Sequence, residues 1–239
     1  MKLDILAFAA HPDDVELGCS GVLLKYIAEG KKVGVIDLTR GELGTRGTAE
    51  TRDQEAAHSA KIMGLHAREN LKMRDGFFKN DEQHQLQIIR ILRKYKPEIV
   101  LANAYHDRHP DHGRACDLVT DAAFLSGLVK IETVLDGNVQ AAWRPRLLLH
   151  YIQDQYIRPD VVVDITEFWD KKMECIRAFK TQFYDPNAAD GIQTYISSPD
   201  FIQFLEARAR EFGKYSSKSY AEGFTCKKIL AVDDLFHLR

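Results

Sequence analysis

The chain has 239 residues, with 33 Lys and Arg against 35 Asp and Glu, so its formal charge is -2 and no global field recruits nucleic acid or an anionic membrane. Neither is expected as a partner. A hydrophobic share of 45% and a charged share of 28% are those of an ordinary globular protein, and a chain of this length buries roughly 70–75% of its unfolded surface.

Residues 3–9 form a short apolar run, read as a buried strand. Residues 15–29 follow with helical spacing (Leu17, Val22, Leu23, Ile27) and stop at Gly30, a candidate left-handed cap. Residues 32–38 are a second strand, and the Gly- and Thr-rich RGELGTRGT leads into a helix over 50–63 ended by Gly64. A weak third strand spans 70–73. An amphipathic helix over 82–95 is closed by Pro97, a fourth strand spans 98–102, and a helix runs over 113–126. Beyond it, 147–151 and 161–165 read as strands, 168–179 and 201–212 as helices, and 182–199, with Pro186, Gly191 and Pro199, as a loop. There is no repeat, linker or low-complexity tract. Residues 1–239 read as a single α/β domain: a Rossmann-like, doubly wound, mostly parallel sheet with helices on both faces and a less regular C-terminal part.

Cys19, Cys116, Cys175 and Cys226 form no C-x-x-C pair, which argues for reduced thiols in a cytoplasm rather than a disulfide framework. The apolar stretch 5–10 is too short for a secretion signal. No run approaches the ~20 apolar residues that cross a bilayer. A cytoplasmic location is expected.

In the common doubly wound order, strands one and four are neighbours, and ligands bind beyond their carboxyl ends. HPDD follows strand one and AYHDRHPDHG follows strand four, so two polar motifs about a hundred residues apart meet in one crevice. His11 and one aspartate of the Asp13–Asp14 pair sit where a strand turns into a helix, and His112 supplies a third donor. Imidazole nitrogen and carboxylate oxygen suit zinc, whose catalytic sites take three protein ligands and keep one position for water. The remaining aspartate is then a candidate general base. His109 is a candidate to stabilise an oxyanion or protonate a leaving amine, and Asp111 to hold an imidazole in one tautomer. A single HPDD is weak evidence, since Asp14 alternatively caps the helix. Two His-Pro-Asp segments after neighbouring strands are much stronger. These residues alone leave open which aspartate is the ligand.

Other chemistries find little support. G-x-G-x-x-G is absent after strand one, and no G-x-S-x-G nucleophile elbow occurs. GELGTRG reads as a substrate or structural loop, Cys116 as packing and His106 as a loop histidine. His58, His66, His84, His150 and His237 read as surface or core residues.

The strand followed by AHPDD, the GTRGT-x-x-x-R segment and the HPDHG loop resemble the PIG-L/LmbE-type zinc N-acetylglucosamine deacetylases over almost the whole chain. YIQDQYIRPDVVVDIT, FKTQFYDP, TYISSPDF and YAEGF look more like the bacillithiol-biosynthesis branch, which removes acetyl from N-acetylglucosaminyl malate to leave glucosaminyl malate. The resemblance implies His11, Asp14 and His112 as metal ligands and Asp13 as base. It implies His109 as the residue that stabilises the tetrahedral intermediate, Arg52 as a substrate contact and Asp75 as a partner of sugar hydroxyls. Asp107 stands where mycothiol relatives carry a tyrosine, and Tyr195 is the candidate to serve instead. A malyl group's two carboxylates call for guanidinium forks, for which Arg52 and Arg108 are the candidates.

The family likeness also implies Zn2+, although Fe2+ or another divalent ion suits the same donors. It implies a small amino-sugar conjugate as substrate and a homo-oligomer, in relatives often a hexamer. Alternative readings are a deacetylase of another N-acetylglucosamine conjugate such as a chito-oligosaccharide, a hydrolase of a different N-acyl group, or an inactive metal- or sugar-binding relative.

Overall fold

Apolar runs interrupted by Gly, Pro and charged turns set the order of elements. The computed structural model describes residues 1–184 and 192–237; Pro186 and Gly191 of the expected loop lie outside the described residues. The strands are β1 (Ile5–Ala9), β2 (Val33–Thr39), β3 (Ala67–Met73), β4 (Ile99–Asn103), β5 (Val134–Leu135), β6 (Asn138–Val139), β7 (Leu147–Tyr151), β8 (Val161–Asp164) and β9 (Ala221–Thr225). The helices are α1 (Asp14–Gly18), α2 (Ser20–Ala28), α3 (Ala49–Met63), α4 (Glu82–Tyr95), α5 (Pro110–Leu125), α6 (Trp169–Arg177) and α7 (Phe201–Tyr215).

Among the described residues, seven strands form one sheet in the order β3-β2-β1-β4-β7-β9-β8. The first five run parallel, and β9 is antiparallel to both β7 and β8. Successive side chains of a strand face opposite sides, and β1 uses both. Ile5, Ala7 and Ala9 pack with Leu23 of α2 and Ile176 of α6, whereas Leu6 and Phe8 pack with Leu92 of α4 and Leu118 of α5. Helices therefore cover both faces, and the carboxyl ends of neighbouring β1 and β4 open on one side. No helix among the described residues is long and apolar enough to cross a membrane. All four cysteines are free, and Cys116 packs 3.3 Å from the buried His150 ring.

Local signals fix several boundaries. Thr48 caps α3 through a capping box with Thr51, and Gly64 ends it at φ 78°. Asp81 caps α4 by accepting the His84 N–H.

Three expectations change. The helix read over 15–29 is two helices broken at Cys19, because Gly18 is pressed against Tyr151, where an added Cβ would lie 2.2 Å from the ring. Past the break, the first N–H groups of α2 are caught by a distant carboxylate. Glu222 of β9 accepts from Gly21 N at 2.9 Å and Val22 N at 2.7 Å, and Lys172 Nζ lies 2.6 Å from the same group. Second, α5 starts at Pro110 rather than at 113, since proline suits the first helical position and His109 caps it. Third, β9 and the small β5–β6 hairpin were not expected. The sequence AEGFT of β9 has weak strand propensity, and its Glu222 and Gly223 serve long-range contacts instead.

Tyr151 is fully buried, and its hydroxyl donates to Phe8 O at 2.9 Å, so it cannot yield to a larger neighbour. Gly18→Ala is expected to destabilise the protein by about 1–3 kcal/mol through overpacking, read as a lower denaturation midpoint; an unchanged midpoint would contradict the close approach.

Candidate metal centre

At the end of β1 the backbone turns sharply into α1, and Asp13 takes φ 123°, a region that costs a non-glycine residue energy and is tolerated where surrounding contacts over-determine it. Asp13 occupies the cap position of α1 without a side-chain capping bond. Its carboxylate instead meets Arg52 of α3 at 3.1 Å. Burial pushes its pKa up to about 7, against the opposing pull of Arg52.

Asp14, the first residue of α1, is the hub. Its Oδ2 accepts from His11 N at 2.9 Å and Asn103 Nδ2 at 3.1 Å, and its Oδ1 accepts from Gln153 Nε2 at 2.8 Å. Burial would raise its pKa, but the His112 and His11 rings outweigh that and hold it well below the ordinary carboxylate range. His11 Nδ1 lies 3.6 Å from Oδ2, and His112 Nε2 lies 3.1 Å from Oδ1.

Each ring's other nitrogen is taken by an acid. His11 Nε2 meets Asp75 at 3.0 Å and Asp111 at 3.3 Å, and His112 Nδ1 meets Asp107 at 2.7 Å. Such outer carboxylates fix a metal-ligating imidazole's tautomer and leave the inner lone pair for a cation. Zinc–ligand bonds of ~2.0–2.1 Å in a tetrahedron set neighbouring donor atoms roughly 3.3 Å apart. The spacings of 3.6 and 3.1 Å fit a small divalent cation held by His11 Nδ1, Asp14 and His112 Nε2.

A second grouping brings ring nitrogens of His11, His109 and His112 within 4.8 Å of one another. The hydrogen bonds separate His109 from the other two. Its Nδ1 accepts the Asp111 N–H at 3.2 Å as the cap of α5, so in the neutral ring the proton sits on Nε2. Burial, followed by the neighbouring His11 and His112, keeps the His109 pKa low. A neutral ring in that tautomer is a donor rather than a ligand. The third grouping, His11 with Asp75 and Asp111, is accounted for by the outer hydrogen bonds of His11.

The centre opens into a cavity of about 360 Å³. His11, Asp13, Asp14, Arg52, Asp75, His109 and His112 all line it, and Asp111 stands behind His11. Arg108 and Tyr195 line its more exposed part, away from these hydrogen bonds. Arg108 Nε lies 3.3 Å from Asp154, Tyr195 donates to the same carboxylate at 3.0 Å, and the guanidinium rests over the Tyr195 ring. Arg52 is 5% exposed, with its Nη2 spent on Pro12 O at 2.6 Å and Asp13 at 3.1 Å.

Sequence reasoning missed Asn103, Gln153 and the orienting role of Asp107. The available signal was position, because each is a polar residue at or just beyond the carboxyl end of β4 or β7.

The family model described as PIG-L: GlcNAc-PI de-N-acetylase matches residues 6–124, which hold both His-Pro-Asp motifs. The crystal structure of the conserved protein TT1542 from Thermus thermophilus is 35% identical, with a TM-score of 0.84 over 97% of this chain and 98% of that one. The diacetylchitobiose deacetylase of Thermococcus kodakarensis is 27% identical, over 92% of this chain and 81% of its own length. A probable N-acetyl-alpha-D-glucosaminyl L-malate deacetylase 2 of Bacillus subtilis is 28% identical, over 76% of this chain and 84% of its own. The 4-oxalmesaconate hydratase of Pseudomonas putida is 25% identical over 74% of this chain and 73% of its own, so the likeness extends to a second reaction. With the sheet order, the two motifs and these matches together, the chain belongs to the PIG-L family of deacetylase enzymes.

Proposed function

We propose that the protein is a zinc-dependent N-deacetylase that converts N-acetylglucosaminyl malate to glucosaminyl malate and acetate, a step of bacillithiol synthesis. The observation that carries the hydrolytic reading is that a buried Asp13 carboxylate and the His109 ring line one cavity with the His11, Asp14 and His112 donors. The malyl conjugate is favoured by the resemblance of the C-terminal segments and by the activity named for the Bacillus subtilis relative.

His11, Asp14 and His112 hold the metal. A divalent ion there supplies Lewis acidity toward the carbonyl and lowers the pKa of water. Asp13 takes the proton of the attacking water as its oxygen adds to the acetamide carbon. Arg52 fixes the Asp13 carboxylate in place. As the carbonyl oxygen gains charge, His109 Nε2–H donates to it, a preorganised donor of the kind that lowers such barriers most. The C–N bond then breaks, and Asp13 returns the proton it took from water to the departing amine. Asp75 is a candidate partner for sugar hydroxyls, and its second oxygen already accepts from Leu43 N at 2.9 Å.

The deciding experiment measures, on metal-defined protein, acetate release from N-acetylglucosaminyl malate and from diacetylchitobiose, and in parallel hydration of 4-oxalmesaconate. Acetate from the malyl substrate at the highest kcat/KM is expected. Faster hydrolysis of diacetylchitobiose would move the substrate to chito-oligosaccharides, and hydration of 4-oxalmesaconate without acetate release would overturn the deacetylase.

Asp13→Ala is expected to retain its metal and lose about 10²–10⁴ in kcat; near-normal turnover would remove Asp13 as base. His11→Ala is expected to lose the metal outright, read by elemental analysis. Asp107→Asn is expected to weaken metal affinity by about 10–100-fold, because it loosens the ring of His112. Competition with a chromogenic chelator measures that loss, and unchanged affinity would count against the orienting bond.

A further inference from the structure

Arg46, in the GTRG segment between β2 and α3, lines the same cavity as the metal centre and enters neither the metal site nor the base. Its loop is tied down at both ends of the residue. The Nε donates to Thr181 O at 2.8 Å, and the Arg46 carbonyl accepts from Gln182 Nε2 at 2.8 Å. The next residue, Gly47, has φ 75° and lies so close to Thr181 that a Cβ would fall 2.7 Å from its hydroxyl. Arg108 is anchored in the same manner, by Nε to Asp154 and by its stack over Tyr195. Among the described residues, the terminal amino groups of both guanidinium groups make no hydrogen bond, and both side chains line one cavity. Arg52 is engaged differently, since both N–H bonds of its Nη2 are directed to Pro12 O and Asp13, a third goes from Nη1 to Gly41 O at 3.2 Å, and its Nε is sealed from solvent without a partner.

We infer that Arg46 and Arg108 form an anion-recognising pair that selects substrates whose aglycone carries carboxylates, and that Arg52 serves the base instead. The inference rests on the deacetylase reading for its sugar but not for its anion. An arginine held by its Nε keeps a planar edge of parallel N–H donors, the geometry that accepts a carboxylate in two bonds. Fixing the stem beforehand reduces the rotamer entropy lost on binding. His11, Asp14 and His112, which would hold the metal, line the same cavity as Arg46 and Arg108, so one substrate could present its amide to the former and its anion to the latter.

The test compares N-acetylglucosaminyl malate with methyl N-acetylglucosaminide on the metal-loaded wild type and on Arg46→Gln, Arg46→Lys and Arg108→Gln. The malyl-to-methyl ratio of kcat/KM is expected to fall by about 10–100-fold in each Gln variant, the range for losing hydrogen bonds to a charged group. The fall is expected to appear in KM, and Arg46→Lys is expected to recover part of it. In parallel, calorimetry measures binding of the products glucosaminyl malate and methyl glucosaminide, which needs no turnover. A ratio that stays constant in Arg46→Gln while both substrates decline would mean that Arg46 only shapes the loop, and would overturn the pair. If the wild type hydrolyses neither glycoside but Arg46→Gln still loses the malyl preference in calorimetry, the reaction reading fails and the pair stands.

Discussion

Everything at the centre depends on one buried carboxylate being over-supplied with partners. Asp14 sits at 2% exposure, where an isolated charge is prohibitively costly, and it survives ionised because three donors converge on its two oxygens, with the His112 ring 3.1 Å from one of them. Those donors come from the ends of β1, β4 and β7, and the ring from the first turn of α5. The parallel sheet is what brings them together. Around this hub stand three further acids, Asp75, Asp107 and Asp111, each tied to one of the two imidazoles. Arg114 pairs with Asp111 at 2.5 Å, while Asp14, Asp75 and Asp107 face the two imidazoles, a setting that a divalent cation would suit. The low-dielectric surroundings that make the cluster costly when empty of charge balance also strengthen its hold on a cation.

The layer beneath the hub is ionic as well. Glu16 of α1 pairs with Arg68 of β3 at 2.6 Å, Arg68 reaches Asp37 of β2 at 2.8 Å, and Ser59 of α3 donates to Glu16 at 2.7 Å. The five-residue α1 is too short to be stable by itself, so its orientation is fixed by this network and by the contact of Gly18 with Tyr151. A rigid α1 is what sets the aim of Asp13 and Asp14 together: one toward Arg52, the other between two histidines.

Much of this was legible in the sequence because periodicity and motif position are local signals. The run around Ile5–Ala9, the amphipathic Glu82–Tyr95 and the two His-Pro-Asp segments each announce themselves within a few residues. The neighbouring order of β1 and β4 follows from the strand–helix alternation, and it brought both motifs to one crevice. What stayed hidden depends on partners far along the chain. The break at Cys19 is imposed by Tyr151, and the strand Ala221–Thr225 exists despite its propensities because Glu222 and Gly223 answer to α2 and Phe212. Asn103, Gln153 and Asp107 are single polar residues with no pattern of their own. Arg46 and Arg52 look equivalent in sequence, and only their hydrogen bonds tell them apart.

The grip of Glu222 on the start of α2 has a consequence for how the chain acquires its structure. The two groups are 201 residues apart at Gly21 and 200 at Val22. During synthesis the N-terminal strands and helices emerge first, with the opening turn of α2 still lacking its anion and Lys172 lacking its counter-charge. Closing so long a loop adds entropy cost to a late event and slows it. The helix α2, which follows the first His-Pro-Asp motif and α1, is therefore fully capped only when Ala221–Thr225 inserts between β7 and β8, which ties the first half of the candidate site to a strand from far along the chain.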